Sequence, residues 1–169
     1  GMGLERLACL LQSVDSNYKT DLFTPLLAAI AEVTERPYSD GPAGVPHRVI
    51  ADHVRALAFC LADGALPGNT GRGYVLRRIL RRAARFAYEL GCREPLIYSL
   101  VAGLVAAMGE AYPELREQQR HIVTQIRSEE ESFQRNLEHG MVEFDKMTEN
   151  LKAGARISGL QAFTLYDTH

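Results

Sequence analysis

Six arginines in the middle of the chain are the residues whose type and spacing most clearly suggest chemistry. They are Arg72, Arg77, Arg78, Arg81, Arg82 and Arg85. The 169-residue protein is slightly acidic as a whole, with a formal charge of -2, so this concentration of positive charge is local. Guanidinium groups match the oxygens of carboxylates and phosphates through paired hydrogen bonds. The cluster therefore predicts an anionic partner.

Helical periodicity places most of these arginines on one face. With about 100° of rotation per residue, the five from Arg77 to Arg85 fall within an arc of roughly 140°. Leu76, Ile79 and Leu80 fall on the opposite side, which predicts a core-facing surface. Two interpretations follow for the arginine face. It could be a solvated face paired with carboxylates of a neighbouring helix, or it could bind a partner that carries phosphates.

Three features favour the phosphate partner. The basic residues of this helix are all arginine, and between Gly71 and Leu90 the only acid is Glu89, so we expect no local i,i+4 pairing to neutralise the face. The glycine-rich stretch "ALPGNTGRG" precedes the helix. At the N-terminus of a helix, free N–H groups and the helix dipole favour an anion. Together these features predict binding to a polyanion, most simply a nucleic acid, with a steep dependence on salt.

The rest of the chain predicts an all-α protein. Apolar residues recur at helical spacing, for example over Leu4 to Gln12 and from Thr24 onward, and no strand pattern stands out. Hydrophobic residues make up 46% of the chain, which is enough for a core. No stretch is long or apolar enough to span a membrane. The cysteines are widely spaced, which favours reduced, mostly buried thiols and a cytoplasmic location.

One block of about forty residues carries a resemblance to a known family. The sequence "HRVIADHVRALAFCLADGALPGNTGRGYVLRRILRRAARFA" closely resembles the signature of alanyl-tRNA synthetases. The opening "GMGLERL" is similar to motif 3 of class II synthetases, and the closing "LYDTH" resembles the start of a further motif of the family. Because these segments occur in the family's order, the resemblance extends from end to end.

The resemblance implies a division of the chain into domains. Residues 1–40 would form the end of a class II catalytic domain, with motif 3 and the helix that follows it. Residues 41–46, rich in proline and glycine, would be a linker. Residues 47–169 would form a helical bundle that recognises the acceptor stem of a tRNA. We therefore expect an all-α fragment of a longer enzyme, beginning at its last catalytic motif.

The resemblance also implies roles for individual residues. Arg6, with Gly1 and Gly3 allowing close approach of the backbone, corresponds to the ATP-binding part of motif 3. Asn69 and Asp167 correspond to the residues that recognise a G·U wobble pair in the acceptor stem. The six arginines would contact the tRNA backbone, since phosphate contacts position a protein and base contacts specify the sequence.

The resemblance implies that the intact enzyme attaches L-alanine to its tRNA with ATP and Mg²⁺. The fragment would hold no complete catalytic site. We therefore expect it to be inactive and to bind no cofactor or metal by itself. The alternative is a stand-alone helical RNA-binding or interaction module derived from a synthetase. A preceding reading frame that contains motifs 1 and 2 would distinguish the two.

Two further features stay open to more than one interpretation. His53 lies on an apolar helix face, and a hydrogen-bonded core histidine is the simpler interpretation than a metal ligand. The acidic run Glu129 to Glu131 is most simply a solvated helix face, although it could instead pair with the arginine face.

Overall fold

The computed structural model describes residues 3–149, 151 and 155–168, with the backbone alone for 166–168. These residues are helical and contain no β-strand, which confirms the predicted all-α class. The α-helices are α1 (Leu4–Leu11), α2 (Thr24–Thr34), α3 (Val45–Ala62), α4 (Gly71–Glu89), α5 (Val101–Met108), α6 (Pro113–Glu117), α7 (Gln119–Thr148) and α8 (Gly159–Thr168). Short 3₁₀ helices occupy Asn17–Lys19, Pro42–Gly44 and Ile97–Leu100.

Prolines and glycines set several helix boundaries, as the sequence predicts. Proline lies in the first turn of α2, α3 and α6, where its missing N–H removes no intrahelical bond. Gly64 follows α3 with φ of +82°, and Gly91 follows α4 with φ of +99°. These left-handed conformations favour glycine because it lacks a Cβ.

The chain divides into two compact units, residues 1–130 and residues 131–169. The first unit holds the main apolar core, in which α3 and α4 pack along each other. Leu26, Ile50, Leu80, Leu104 and Ile126 are among its fully buried side chains. Removing such a side chain from water contributes about 1.5–3 kcal/mol. This core fixes which side of α4 faces outward.

The segment predicted as a linker, residues 41–46, lies inside the first unit, and within it Gly44 is buried. A Cβ on Gly44 would lie 1.8 Å from the carbonyl oxygen of Ser39, so only glycine fits there. His47 is buried, with Nε2 2.9 Å from the carbonyl oxygen of Arg36. A boundary between catalytic and recognition domains is a property of the whole enzyme, and the boundary at 41–46 stays a prediction.

The second unit contains the C-terminal part of α7 together with α8. Helix α7 continues through Gly140 without a break. Ser158 caps α8: its Oγ accepts from the N–H of Gln161 at 3.2 Å, and Gln161 Oε1 accepts from the N–H of Ser158 at 3.0 Å. This reciprocal capping box satisfies N–H groups that the first helical turn leaves without partners.

No helix among the residues described combines the length and the apolar character needed to cross a membrane. The cysteines Cys9, Cys60 and Cys92 are free thiols, and each is half-buried rather than mostly buried. Burial raises the pKa of the Cys92 thiol.

Candidate nucleic-acid interface

Helix α4 presents its arginines on the side away from the core. Its buried side chains are Leu76, Leu80, Ala83 and Ala87, which recur at intervals of three to four residues. This spacing forms one apolar stripe, so the arginines must project from the other side of the helix. The arginine face is therefore a consequence of the pattern that buries α4 against α3.

Arg77 and Arg81 form an inner row of the face and contact Glu129 of α7. Arg77 Nη2 donates to Glu129 Oε2 at 3.1 Å, and Arg77 Nε lies 2.8 Å from Oε1, without the alignment of a hydrogen bond. Arg81 donates from Nη2 to Oε1 at 3.3 Å. The Glu129 side chain is only 11% exposed. Two of the six arginines thus have a carboxylate partner from a neighbouring helix.

Arg78 and Arg82 form an outer row and have different surroundings. The guanidinium of Arg78 lies 5.7 Å from the ring centre of Tyr74, and that of Arg82 lies 5.9 Å from the ring centre of Phe86. Both side chains are exposed. Neither they nor Arg72 form an ion pair with any carboxylate in the described part of the chain. The outer row therefore keeps its charge available to an external anion.

Arg85 corrects one detail of the sequence interpretation. Its Nε lies 3.5 Å from Glu89 Oε1 one helical turn away, so some local pairing exists on this helix. Both partners are largely exposed, at 63% and 47%. Surface pairs of this kind contribute about 0.5 kcal/mol and are screened by salt, so an external anion can compete with Glu89 for Arg85.

Asp52 of α3 brings negative charge near Arg82. The pKa of the Asp52 carboxyl lies below its usual value, chiefly because His53 donates a hydrogen bond to it, and also because Arg55 and Arg82 are nearby. His53 Nδ1 lies 3.2 Å from Asp52 Oδ2. The other ring nitrogen of His53 is buried without a hydrogen-bond partner in the described structure. Of the two ring nitrogens of His53, Nδ1 thus has the hydrogen-bond partner that the core-histidine interpretation predicts, and Nε2 has none in the described structure.

A backbone hydrogen bond and close backbone packing stabilise the glycine-rich turn before α4. The N–H of Gly68 donates to the carbonyl of Gly73 at 3.0 Å, and a Cβ on Gly73 would lie 2.6 Å from the carbonyl oxygen of Leu66. Asn69 lies in this turn, and its Oδ1 accepts a hydrogen bond from Arg77 Nη1. The predicted base-reading residue and an arginine of the inner row are therefore in direct contact.

The acidic run on α7 is not a solvated face at its first two positions. Besides Glu129, Glu130 is 3% exposed and accepts from the backbone N–H groups of Leu96, Ile97 and Tyr98 at 3.0, 2.8 and 2.9 Å. Sequence reasoning missed this role. The signal was present, because Glu130 continues the four-residue spacing of the buried Ile122 and Ile126. Glu130 caps the short helix that leads into α5.

Comparison with known proteins identifies the family. A family model for class II (A) tRNA synthetases matches residues 1–169. The chain belongs to this family. The resemblance to class II synthetases that the sequence motifs predict is thereby confirmed.

The curated relatives of this class II synthetase chain are longer proteins. It is 53% identical to the alanine–tRNA ligase of Chlorobaculum tepidum, over 99% of this chain and 20% of that protein. It is 53% identical to the alanine–tRNA ligase of Caulobacter sp. strain K31 and 49% identical to that of Orientia tsutsugamushi, in each case over 100% of this chain and 19% of the relative. The chain spans about a fifth of the length of these relatives.

Membership of the class II synthetases implies ATP and Mg²⁺ as cofactors of the intact enzyme. Arg6 is an exposed side chain on α1, and Gly3 precedes that helix. The nearby Arg55 is paired with Glu5 at 2.6 Å. The described residues contain no group of three or more His, Cys, Asp or Glu side chains that could hold a metal ion. The role of Arg6 and Gly3 in ATP binding stays a prediction for the intact synthetase.

Two predicted site residues lie wholly or partly outside what the structure describes. Gly1 lies outside the described residues. Asp167 lies in α8, but its side chain is not among those described. Asn69 belongs to the first unit and Asp167 to the second, so their convergence on one base pair stays a prediction.

Proposed function

We propose that this chain is the acceptor-stem-recognition part of an alanine–tRNA ligase. The intact protein would attach L-alanine to its tRNA in the cytoplasm. Curated relatives that carry this name match essentially the whole chain at about 50% identity, which supports the proposal. The chain's own contribution would be to bind and position the tRNA.

The observation that carries the proposal is the exposed outer row of α4. Arg78 and Arg82 lie within cation–π distance of aromatic rings of their own helix and have no ion pair with a described carboxylate. A cation–π contact attracts a guanidinium to the ring while leaving its donor groups available. Guanidinium forks recognise phosphate oxygens bidentately. An acceptor stem offers a row of phosphates to these arginines and to Arg72.

Sequence recognition would come from Asn69 and Asp167. A G·U wobble pair exposes the guanine amino group in the minor groove, which is wide and shallow in A-form RNA. A carboxylate such as that of Asp167 can accept from this group, and the carboxamide of Asn69 can donate to or accept from the pair. Asn69 lies in the turn at the N-terminus of α4, next to the arginine face, which suits it to this task.

ATP would supply the adenylyl group that converts alanine to an adenylate, with pyrophosphate as the leaving group. Within this chain, Arg6 is the residue that would contact the ATP, as the resemblance to motif 3 implies. It lies exposed on α1, one turn beyond Gly3. The remaining ATP and alanine contacts would come from motifs 1 and 2.

The test compares Asn69→Ala and Asp167→Ala in the intact ligase, using acceptor-stem hairpins with either G·U or G·C at the recognised pair. Each substitution should cost about 1–3 kcal/mol in kcat/KM for the G·U stem, as expected for loss of a base contact. The effect on the G·C stem should be much smaller. Asn136→Ala on the exposed surface of α7 is the matched control. Equal losses on both stems would contradict base recognition by these residues.

A further inference from the structure

We propose that Glu129 is a positioning residue for Asn69 and acts on it through Arg77. The inference rests on the proposed function, because it assumes that Asn69 reads the tRNA. It adds a residue of α7, from a distant part of the chain, to the specificity-determining group. Three contacts support this route, and all of them lie within the first unit.

The first contact fixes the plane of the Arg77 guanidinium. Two of its nitrogens face Glu129, with Nη2 donating to Oε2 at 3.1 Å and Nε 2.8 Å from Oε1. The Arg77 side chain is 24% exposed and the Glu129 side chain 11%. One hydrogen bond from Nη2 and the charge contact at Nε restrict the rotation of this planar group about its terminal bonds. The direction of its third nitrogen is then determined.

The second contact links the oriented guanidinium of Arg77 to the side chain of Asn69. The third nitrogen, Nη1, donates to Asn69 Oδ1. Because a guanidinium has no acceptor, the atom of the carboxamide that faces Arg77 must be its oxygen. The amide nitrogen of Asn69 is consequently turned away from Arg77. The ion pair therefore selects one of the two orientations that a carboxamide can take.

The third contact holds Glu129 itself. Arg81 also donates to Glu129 Oε1, at 3.3 Å. In addition, the neighbouring Glu130 binds three backbone N–H groups and so fixes α7 at this point. Asn69 is an exposed turn residue, and Arg77 is the partner that the described structure shows for its side chain. Without this chain of contacts, Asn69 would sample several rotamers.

The test is a double-mutant cycle in the intact ligase with Glu129→Ala, Asn69→Ala and the double variant. The readout is the ratio of kcat/KM for acceptor-stem hairpins with G·U and with G·C. Glu129→Ala should lower this ratio about three- to tenfold, in the range of coupling between residues in contact. The double variant should lower it no further than Asn69→Ala alone. Glu138→Ala, at an exposed position of the same helix, is the control and should leave the ratio unchanged.

The possible outcomes separate the positioning role of Glu129 from the base recognition by Asn69. An unchanged ratio in Glu129→Ala, with Asn69→Ala effective, would show that Glu129 has a structural role only and overturn this inference. Additive effects in the double variant would also overturn it, since Glu129 would then act by another route. An unchanged ratio in Asn69→Ala would overturn the proposed base recognition itself. Where circular dichroism shows Glu129→Ala to be unfolded, Glu129→Gln takes its place, and the same criteria apply.

Discussion

Arg77 and Arg78 are adjacent in the sequence, yet their guanidinium groups have different surroundings. Arg77 contacts Glu129 of α7 and Asn69 of the preceding turn, whereas Arg78 lies 5.7 Å from the ring centre of Tyr74 and has no described carboxylate partner. The 100° turn between consecutive helical residues separates an inner, paired row from an outer, exposed row. Matched substitutions can therefore distinguish charge that is neutralised within the protein from charge that is available to RNA.

The first prediction concerns the salt dependence of RNA binding. Arg78→Gln and Arg82→Gln should each reduce the slope of log K against log salt by about one, because each removes one phosphate contact and the counterion it displaces. Arg77→Gln should change the slope much less, because Glu129 already neutralises that charge. The measurement is hairpin binding at several salt concentrations. Equal slopes for all three variants and the parent chain would identify the outer row as an ordinary solvated surface.

The second prediction concerns catalysis by this chain alone. Mixed with ATP, alanine and tRNA, it should form neither alanyl-adenylate nor charged tRNA. The reason is that catalysis requires substrates held together in a defined geometry, and the chain resembles only motif 3 of the three class II motifs. ATP–pyrophosphate exchange provides the measurement, with the intact ligase as the positive control. Exchange above background by the pure chain would contradict the assignment of the remaining contacts to motifs 1 and 2.

The third prediction concerns the turn that carries Asn69. Gly73→Ala should destabilise the protein by about 1–3 kcal/mol, as overpacking does, because the new Cβ would lie 2.6 Å from the carbonyl oxygen of Leu66 and 2.9 Å from the nitrogen of Gly68. Both are backbone atoms and cannot turn aside. Gly68→Ala is the control, since its Cβ would meet only the Cα of Gly73, at 3.8 Å. Thermal unfolding compares the two, and equal melting temperatures would refute the close packing of this turn.

The fourth prediction concerns Glu130. Glu130→Gln should lower the free energy of unfolding by about 1–3 kcal/mol, because an amide nitrogen would face one of the buried N–H groups and leave it without an acceptor. Glu130→Ala should cost more. Glu138→Gln, at an exposed position of the same helix, should change stability by less than about 0.5 kcal/mol. Urea unfolding measures all three, and a neutral Glu130→Gln would contradict the capping role.

The distribution of contacts explains which parts of the site could be foreseen. The two faces of α4 depend on residues a few positions apart, and local periodicity is enough to predict them. The position of Glu129 depends on contacts with Arg77 and Arg81, 52 and 48 residues away in the chain. The sequence pattern left two interpretations of the acidic run open, because it contains no information about which helix lies opposite.

The amino-acid sequence by itself determined the helical class, the orientation of α4 and, through its motifs, the family. It did so because hydrophobic spacing and backbone preferences act locally along the chain. Only the tertiary structure decided that Arg77 and Arg81 are paired while Arg78 and Arg82 are not, and that Glu130 is buried. These outcomes depend on the packing of α7 against α4 and the segment before α5. An arginine of α4 is neutralised where this packing brings a carboxylate within hydrogen-bonding distance, and it stays available to an external anion where the packing does not.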